Sequence, residues 1–138
     1  MDWTLERVNG PKNFIVLEKS ERSYPCGRNV NNKIICPSLV VSRRHCIFVR
    51  ADDVISVIDL GSSNGIYVNG KPLKPNELVE LRENDIIGIG SSDEYRDDEP
   101  MFVYKLHKGN LNSRNLEAFD DLLTQRSTSS NIISTPNG

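Results

Sequence analysis

The stretch from Pro25 to Gly70 decides the fold, and it contains three short blocks of polar residues. They read GR at residues 27–28, VSRRHC at residues 41–46 and DLGSSNGIYVNG at residues 59–70. Each block places a cation, a hydroxyl or a turn-forming amide at the mouth of a predicted β-strand. Together the three blocks predict an anion receptor that is built on loops.

The residues around these blocks predict an all-β sandwich. Short runs rich in Ile, Val, Phe and Tyr alternate with turn signals, and no sustained helical apolar period occurs before residue 108. Many short strands at this spacing are typical of a β-sandwich. The predicted strands are Trp3–Val8, Phe14–Leu17, Arg22–Cys26, Arg44–Arg50, Val54–Asp59, Ile66–Val68, Leu78–Leu81, Ile86–Ile89 and Met101–His107. The predicted turns are Asn9-Gly10-Pro11, Asp52-Asp53, Asn69-Gly70 and Glu83-Asn84-Asp85.

The order of the three blocks resembles that of the forkhead-associated (FHA) family of phosphothreonine-binding domains. The shared pattern is Gly-Arg, then Ser-x-x-His, then Ser-x-Asn-Gly with a closing Val-Asn-Gly, and the resemblance spans about residues 3–107. It implies an FHA-type (SMAD/FHA-like) β-sandwich of about eleven strands, with the binding loops at one end. It also implies a binding module that has no enzymatic activity of its own.

Three further segments point to a particular group of proteins within this family. Trp3-x-Leu5-x-Arg7-Val8, Ile35-Cys36-Pro37 and Ser42-x-x-His45-Cys46 look most like the FHA domain of the FHA–RING E3 ubiquitin ligases of the DNA-damage response. This kinship implies that the 138 residues are the N-terminal piece of a longer protein. Checkpoint kinases and DNA-repair end-processing factors carry similar modules, so the identity of the parent protein stays open.

Arg28, Ser42 and Arg43 are the predicted phosphate ligands. A guanidinium presents paired planar donors that match two phosphate oxygens, and it does not lose its charge in proteins. A serine hydroxyl can donate to another phosphate oxygen. The resemblance implies that Arg28 grips the phosphate, that Ser42 contacts it and that Arg43 adds a second cation at the same rim. Arg44 is predicted to be solvated, because strand alternation points it away from Arg43.

The loop at residues 62–65 is predicted to face the ligand. Its sequence, SSNG, contains residues that tolerate positive φ angles, and on its residues alone it is an ordinary hairpin loop. The resemblance implies that the Asn64 side chain fixes the ligand main chain and that Ser63 reaches the phosphate. Gly27, Gly65 and the hairpin turn Asn69-Gly70 are predicted to be structural.

His45 raises the alternative of nucleophilic catalysis together with Ser42, and the sequence argues against it. A catalytic pair needs an orienting acid and an oxyanion hole, and Ser42 does not lie in a G-x-S-x-G elbow. The resemblance makes His45 structural instead, as a largely buried ring whose nitrogens tie neighbouring loops together. We therefore predict that this chain is not an enzyme.

The composition argues against several classes of partner and cofactor. A net charge of −2 argues against sequence-independent nucleic-acid binding, and no apolar run is long enough to cross a membrane. Cys26, Cys36 and Cys46 lack the close pairing of zinc ligands, so we expect buried reduced thiols and neither a metal nor a cofactor. Reduced thiols are typical of nuclear proteins and also of cytoplasmic ones, so we expect a nuclear or cytoplasmic location. The N-terminus shows no secretion signal pattern.

The C-terminal residues 108–138 are predicted to be a polar tail beyond an FHA domain at residues 1–107. Their composition is rich in Asn, Ser and Thr, which is typical of disorder at residues 108–115 and 125–138. Between these segments, one short helix is predicted at residues 115–124. Its apolar face is formed by Leu116, Phe119, Leu122 and Leu123. So short a helix either docks on the sandwich or folds against a partner.

Two hypotheses concern regulation and selectivity. Thr124-Gln125 and Thr135-Pro136 are dipeptides that kinases modify, and phosphorylated Thr124 would dock in the pocket of a second copy to give a switchable dimer. Light scattering that shows a monomer after Thr124 phosphorylation would contradict this.

The acidic stretch at residues 93–99 would disfavour ligands with acidic residues C-terminal to the phosphothreonine. Enrichment of such residues in a peptide library would contradict that.

The sequence therefore predicts a phosphothreonine-dependent protein interaction module. It would recruit its parent protein to phosphorylated partners in DNA-damage or nuclear signalling. The predicted interaction is electrostatic, between a dianionic phosphate and the two arginines Arg28 and Arg43. The alternative is a phosphate-independent FHA-like scaffold that binds its partner through a sheet face.

Overall fold

The predicted all-β sandwich is confirmed. The structure is a computed structural model that describes residues 1–93 and 99–111, and it contains two sheets with strands β1 to β11. The strands are β1 Trp3–Arg7, β2 Phe14–Leu17, β3 Ser23–Gly27, β4 Ile34–Ile35, β5 Cys46–Ala51, β6 Val54–Asp59, β7 Ile66–Val68, β8 Lys71–Pro72, β9 Leu78–Leu81, β10 Ile86–Ile89 and β11 Phe102–Lys108.

The residue pattern predicts nine of these strands and misses β4 and β8. Each of the two has only two residues, which is too short to show the alternation that marks a strand. β8 also contains a proline, Pro72, which cannot donate to a sheet. Both strands lie at an edge of their sheet, where a short or proline-containing strand is tolerated.

The strands form a six-stranded sheet, in the order β2-β1-β11-β10-β7-β8, and a five-stranded sheet, in the order β4-β3-β5-β6-β9. The pairing of β3 with β4 is parallel, and the other strand pairs are antiparallel. Three predicted turn residues, Asp52, Asn69 and Asn84, have positive φ angles of 55°, 52° and 73°. Asn and Asp are the non-glycine residues that adopt this conformation most readily.

The core lies between the inner faces of the two sheets. In the five-stranded sheet, Tyr24, Phe48 and Val57 are neighbours across β3, β5 and β6, and all three are buried. In the six-stranded sheet, Leu5 is paired with Leu106, and both are fully buried. Burial of an apolar side chain of this size contributes about 1.5–3 kcal/mol to stability.

The three cysteines are buried and free, as the sequence predicts. The Sγ atoms of Cys26 and Cys36 lie 3.7 Å apart, whereas a disulfide bond measures about 2.05 Å. The hydrogen bond with Cys26, together with burial, raises the pKa of the Cys36 thiol well above its ordinary range. The thiols of Cys26 and Cys36 are therefore protonated core residues.

Several loops meet at one end of the sandwich. β3 ends at Gly27, β5 begins at Cys46, β6 ends at Asp59 and β7 begins at Ile66. Antiparallel neighbours run in opposite directions, so the segments that leave β3, enter β5 and connect β6 to β7 lie at the same end. This end, called the loop end below, carries all three polar blocks of the sequence.

Some predictions lie outside the described residues. They are the helix at residues 115–124, the phosphorylation hypothesis on Thr124 and, apart from Asp93 and Glu99, the acidic stretch at residues 93–99. The boundary of the FHA domain at residue 107 stays a prediction. Among the described residues, no helix is both long and apolar enough to cross a membrane.

Candidate functional site

The first loop of the site follows β3, the second precedes β5 and the third connects β6 to β7. The first two loops are joined through their main chains. Arg28 N donates to Ser42 O at 2.9 Å, and Asn29 N donates to Arg43 O at 3.2 Å. A Cβ atom on Gly27 would lie 2.3 Å from Arg43 O, so this close approach requires glycine. The GR block thereby holds Arg28 alongside Ser42.

The guanidinium of Arg28 is positioned and has donors to spare. Its Nε atom donates to Val41 O at 3.0 Å, and the side chain is half-buried. Within residues 1–93 and 99–111, its two Nη atoms have no hydrogen-bond partner and the group forms no ion pair. The charged tip of Arg28 is therefore available to an anion beside Ser42.

Ser42 connects the second loop to the third. Its Oγ atom accepts a hydrogen bond from Ser63 N at 3.2 Å, and its own main-chain N–H donates to His45 Nδ1 at 3.0 Å. No acceptor for the Ser42 hydroxyl proton occurs among the described residues. A hydroxyl both accepts and donates, so Ser42 can still donate to a phosphate oxygen. Ser63 is exposed beside it.

The His45 ring links the second loop to the third loop. The ring is fully buried, with Nδ1 accepting from Ser42 and Nε2 lying 2.7 Å from Gly65 O. An acceptor at Nδ1 requires the neutral tautomer that carries its proton on Nε2, and this proton is donated to the Gly65 carbonyl. Both ring nitrogens are thus occupied by the main chain, which leaves neither for proton transfer to a substrate.

The third loop presents Asn64. The Asn64 side chain is exposed, and its Nδ2 atom donates to Val40 O at 2.8 Å. The loop is closed by a hydrogen bond from Gly65 N to Ser62 Oγ at 2.9 Å, and Gly65 has a φ angle of 79°. The Asn64 carbonyl oxygen has no partner among the described residues and can accept from a ligand main chain.

Two more arginines lie at the loop end. Arg43 and Arg44 are both exposed, and neither forms an ion pair within the described part of the chain. The carbonyl of Arg43 is fixed by Asn32 Nδ2 at 2.8 Å, which anchors the main chain at this position. Three arginines, Arg28, Arg43 and Arg44, thus lie on the first two loops.

Asn69 and Gly70 lie at the opposite end of the sandwich. β7 begins at the loop end with Ile66 and ends at Val68, immediately before this turn. Asn69 N donates to Ile86 O at 2.8 Å, and Asn69 Nδ2 lies 3.0 Å from Asp85 Oδ1. The structure therefore brings together Arg28, Ser42, Ser63 and Asn64 and places the Asn69-Gly70 turn away from them.

The family follows from this arrangement and from one comparison. The sequence profile of the FHA domain matches residues 24–90, which include all three polar blocks. The chain belongs to the FHA-domain family. An FHA domain is a phosphothreonine-binding module, and the domain itself is not catalytic.

Relatives with FHA domains include much longer proteins. The E3 ubiquitin-protein ligase rnf8 of Danio rerio is 37% identical over 93 residues, which are 64% of this chain and 19% of the ligase. The probable serine/threonine-protein kinase fhkA of Dictyostelium discoideum is 31% identical over 106 residues, which are 71% of this chain and 18% of the kinase. The chain thus spans about a fifth of the length of either relative.

Solved FHA domains share the fold. A structure from a study of phosphothreonine-dependent FHA domain interactions is 25% identical, with a TM-score of 0.64 over 79% of this chain and 98% of that chain. The FhaA FHA domain, complexed with the intracellular domain of Rv3910, is 26% identical, with a TM-score of 0.62 over 76% of this chain and 99% of that chain.

Several residues that shape this FHA site carry no signal in the sequence. The carbonyls of Val40 and Val41 position Asn64 and Arg28, and any residue type supplies a carbonyl. A Cβ atom on Gly90 would lie 2.6 Å from Val40 O, so the close approach of this residue, which follows β10, to the second loop requires glycine. Glu99 Oε2 accepts from Leu39 N at 2.5 Å, which places a carboxylate at the rim of the same loop.

Acidification is expected to destabilise the fold through His45. Burial lowers the pKa of His45 from its ordinary 6.5, against the opposing effects of the Gly65 carbonyl and Asp59. The unfolded chain therefore binds the proton more readily, and the His45 contribution to stability is lost as the pH falls from about 6.5 towards the lower folded value. Urea unfolding at about pH 7.5 and 5.5 measures this. His45→Gln should be less stable at the higher pH and show a smaller pH dependence; equal pH dependence in both proteins would contradict the assignment.

Proposed function

We propose that this chain is a phosphothreonine-dependent interaction module that recruits its parent protein to phosphorylated partners. The observation that carries the proposal is the Arg28 guanidinium beside the Ser42 hydroxyl, held there by contacts between loops and with both Nη atoms unpartnered among the described residues. A phosphothreonine carries nearly two negative charges at neutral pH and three acceptor oxygens. A guanidinium and a hydroxyl with unused donors are complementary to such a group.

Each residue has a distinct part in the proposed complex. Arg28 offers two Nη donors to the phosphate, Ser42 and Ser63 offer hydroxyls, and Arg43 adds a second positive charge at the rim. Asn64 is already fixed through its amide nitrogen, so its carbonyl oxygen is held in place to accept a main-chain N–H of the ligand. Preorganised donors and acceptors of this kind lose little entropy on binding.

Isothermal titration calorimetry tests the proposal. A phosphothreonine peptide from an oriented library should bind, and the same peptide with unmodified threonine should give no measurable heat. The phosphoserine form should bind more weakly, as the resemblance to the FHA family implies. Equal binding of the phosphorylated and unmodified peptides would contradict a phosphate-directed site and would favour the phosphate-independent scaffold.

Loss of the Asn64 amide is expected to weaken the complex without abolishing it. Asn64→Ala removes one hydrogen bond to the ligand and the bond to Val40 O, and a hydrogen bond contributes about 1 kcal/mol, or about fivefold in affinity. Asn69→Ala is the matched control, because it alters the other Asn-Gly turn at the opposite end of the sandwich. Calorimetry should show a loss of about fivefold or more for Asn64→Ala and no loss for Asn69→Ala. Equal affinities would exclude Asn64 from the site.

We also propose that the parent protein acts in the nucleus, in signalling that follows DNA damage. The similarity to rnf8, an E3 ubiquitin-protein ligase, supports the DNA-damage part of this proposal. The nuclear location is proposed because buried reduced thiols are compatible with it. The tagged protein should accumulate in nuclear foci after irradiation, and Arg28→Ala should remove the foci. A tagged protein that stays diffuse in the cytoplasm would contradict the assignment. Self-association through phosphorylated Thr124 remains a separate hypothesis.

A further inference from the structure

On the outer face of the five-stranded sheet, one row of side chains is apolar. Pro25 is paired with Ile47, Ile47 with Ile58 and Ile58 with Leu78, so the row crosses β3, β5, β6 and β9. Adjacent residues on these strands, such as Phe48, face the core and are buried. Side chains alternate along a strand, so the row faces outwards.

The two central strands extend this row along their length. The outward residues of β5 and β6 are Ile47, Val49, Ala51, Val54, Ser56 and Ile58. None of the six is charged. We call these six residues, together with Pro25 and Leu78, the apolar strip. Val54 is 42% exposed and Leu78 is 57% exposed, so the strip is open at its ends.

The outer face of the six-stranded sheet differs from the apolar strip, because it carries charged side chains. Glu6 is paired with Lys105, and the neighbouring His107 lies 2.8 Å from Glu6 through Nε2 and Oε1. In the same row Glu6 is also paired with Phe14, and Lys105 with Ile86, so charged and apolar side chains lie side by side on this face. An antiparallel sheet with one face in water ordinarily carries polar residues on that face. The apolar strip departs from that rule in the same molecule, and an exposed apolar patch commonly marks an interaction surface.

We propose that the apolar strip docks an amphipathic helix of a partner protein, separately from phosphopeptide binding. The strip is four strands wide and five residues long, or roughly 300 Å² at about 4.8 Å per strand and 3.4 Å per residue. A stable interface between two globular proteins buries about 800 Å² on each side. The strip is therefore too small for a second folded copy and fits a helix of about ten residues, which is about 15 Å long.

Charge at the edge of the strip indicates the sign of the partner. Glu80 is paired with Ser56, so it faces outwards beside Leu78, and it forms no ion pair with another described residue. A lysine or arginine on the flank of the helix would meet it. The predicted helix at residues 115–124 of the chain itself carries acidic residues instead, namely Glu117, Asp120 and Asp121. Charge complementarity therefore favours a cationic helix from another protein.

The probe for this surface is a fluorescein-labelled amphipathic peptide of leucine and lysine, about fourteen residues long so that it forms about four helical turns. Fluorescence anisotropy should show saturable binding to the full chain, and a peptide with glutamate in place of lysine should not bind. Leu78→Lys and Glu80→Lys should each reduce the affinity about tenfold or more. Glu83→Lys is the matched control for Glu80→Lys, because it makes the same charge change in an exposed turn.

The outcomes separate this surface from the phosphate site. Arg28→Ala should leave binding of the leucine–lysine peptide unchanged, and saturating phosphopeptide should not displace it. Equal losses in Glu80→Lys and Glu83→Lys would mean attraction by net charge alone and would overturn the proposal. Unchanged affinity in Leu78→Lys would also overturn it. Sedimentation that shows a dimer of the wild type, lost in Leu78→Lys, would assign the strip to a second copy instead.

Discussion

Arg28→Ala will abolish measurable binding of a phosphothreonine peptide while the sandwich stays folded. The Arg28 guanidinium is the cation that other loops hold in place, with both Nη atoms unused by described residues. Truncation of one partner in a buried, charged contact costs about 2–5 kcal/mol, which is about 30-fold to a few thousand-fold in affinity. Calorimetry should therefore show no heat at peptide concentrations that saturate the wild type.

The fold should survive this change, because Arg28 contributes little to the core. Its side chain is half-buried and, within the part of the chain that the structure describes, makes one hydrogen bond, to Val41 O. The main-chain bond from Arg28 N to Ser42 O does not depend on the side chain. Thermal unfolding followed by circular dichroism should thus change only slightly.

Two arginine variants make matched controls. Arg28→Lys keeps the charge but loses the planar pair of donors, so it should recover only part of the affinity. Arg44→Ala removes a neighbouring exposed cation and should have a small effect. If Arg28→Ala retained wild-type affinity in calorimetry, the phosphate would bind elsewhere and the proposed function would lose its central residue.

The fold was accessible from the sequence because its strands have simple periodicity. β2, β6, β7, β9 and β10 begin and end where the pattern of apolar residues and turns predicts. The short edge strands β4 and β8 lack this periodicity, since two residues cannot alternate. Their position depends on pairing with β3 and β7, and two residues are too few for a local pattern to encode that pairing.

The site was accessible only in part, and the reason is physical. Arg28, Ser42, Ser63 and Asn64 have side chains whose chemistry suits a phosphorylated ligand, so residue type and order predict them. Their geometry depends on the carbonyls of the second loop, which are independent of residue type. The family resemblance supplied the role of each side chain, and the structure adds the contacts that hold the groups together.

Asn32 illustrates a residue that local sequence does not assign. The loop after Arg28 contains several asparagines, and nothing in their order distinguishes them. In the structure, Asn32 is buried and its Nδ2 atom donates to Asn29 O and Arg43 O, both at 2.8 Å. Its role arises from a contact between loops, so it emerges only when β3 and β5 are placed side by side.

Gly27→Ala is expected to damage both stability and binding. The added Cβ atom would lie 2.3 Å from Arg43 O and 2.9 Å from Arg43 C, and both are main-chain atoms that cannot rotate away. The second loop must move as a unit, and Ser42 moves with it. Overpacking of this kind costs about 1–3 kcal/mol, so chemical denaturation should show a loss of that size.

Binding should fall by more than the loss of stability explains, and Gly70→Ala separates the two effects. Gly70 has a φ angle of 81° at the opposite end of the sandwich, and its added Cβ would meet no atom within 4 Å. This variant should lose about 1–2 kcal/mol through backbone strain and keep the affinity of the wild type. Gly27→Ala should remain folded at 25 °C yet bind the phosphothreonine peptide at least about tenfold more weakly, because Ser42 is displaced from its place beside Arg28. Wild-type affinity in folded Gly27→Ala would show that the spacing of these two loops does not determine the site.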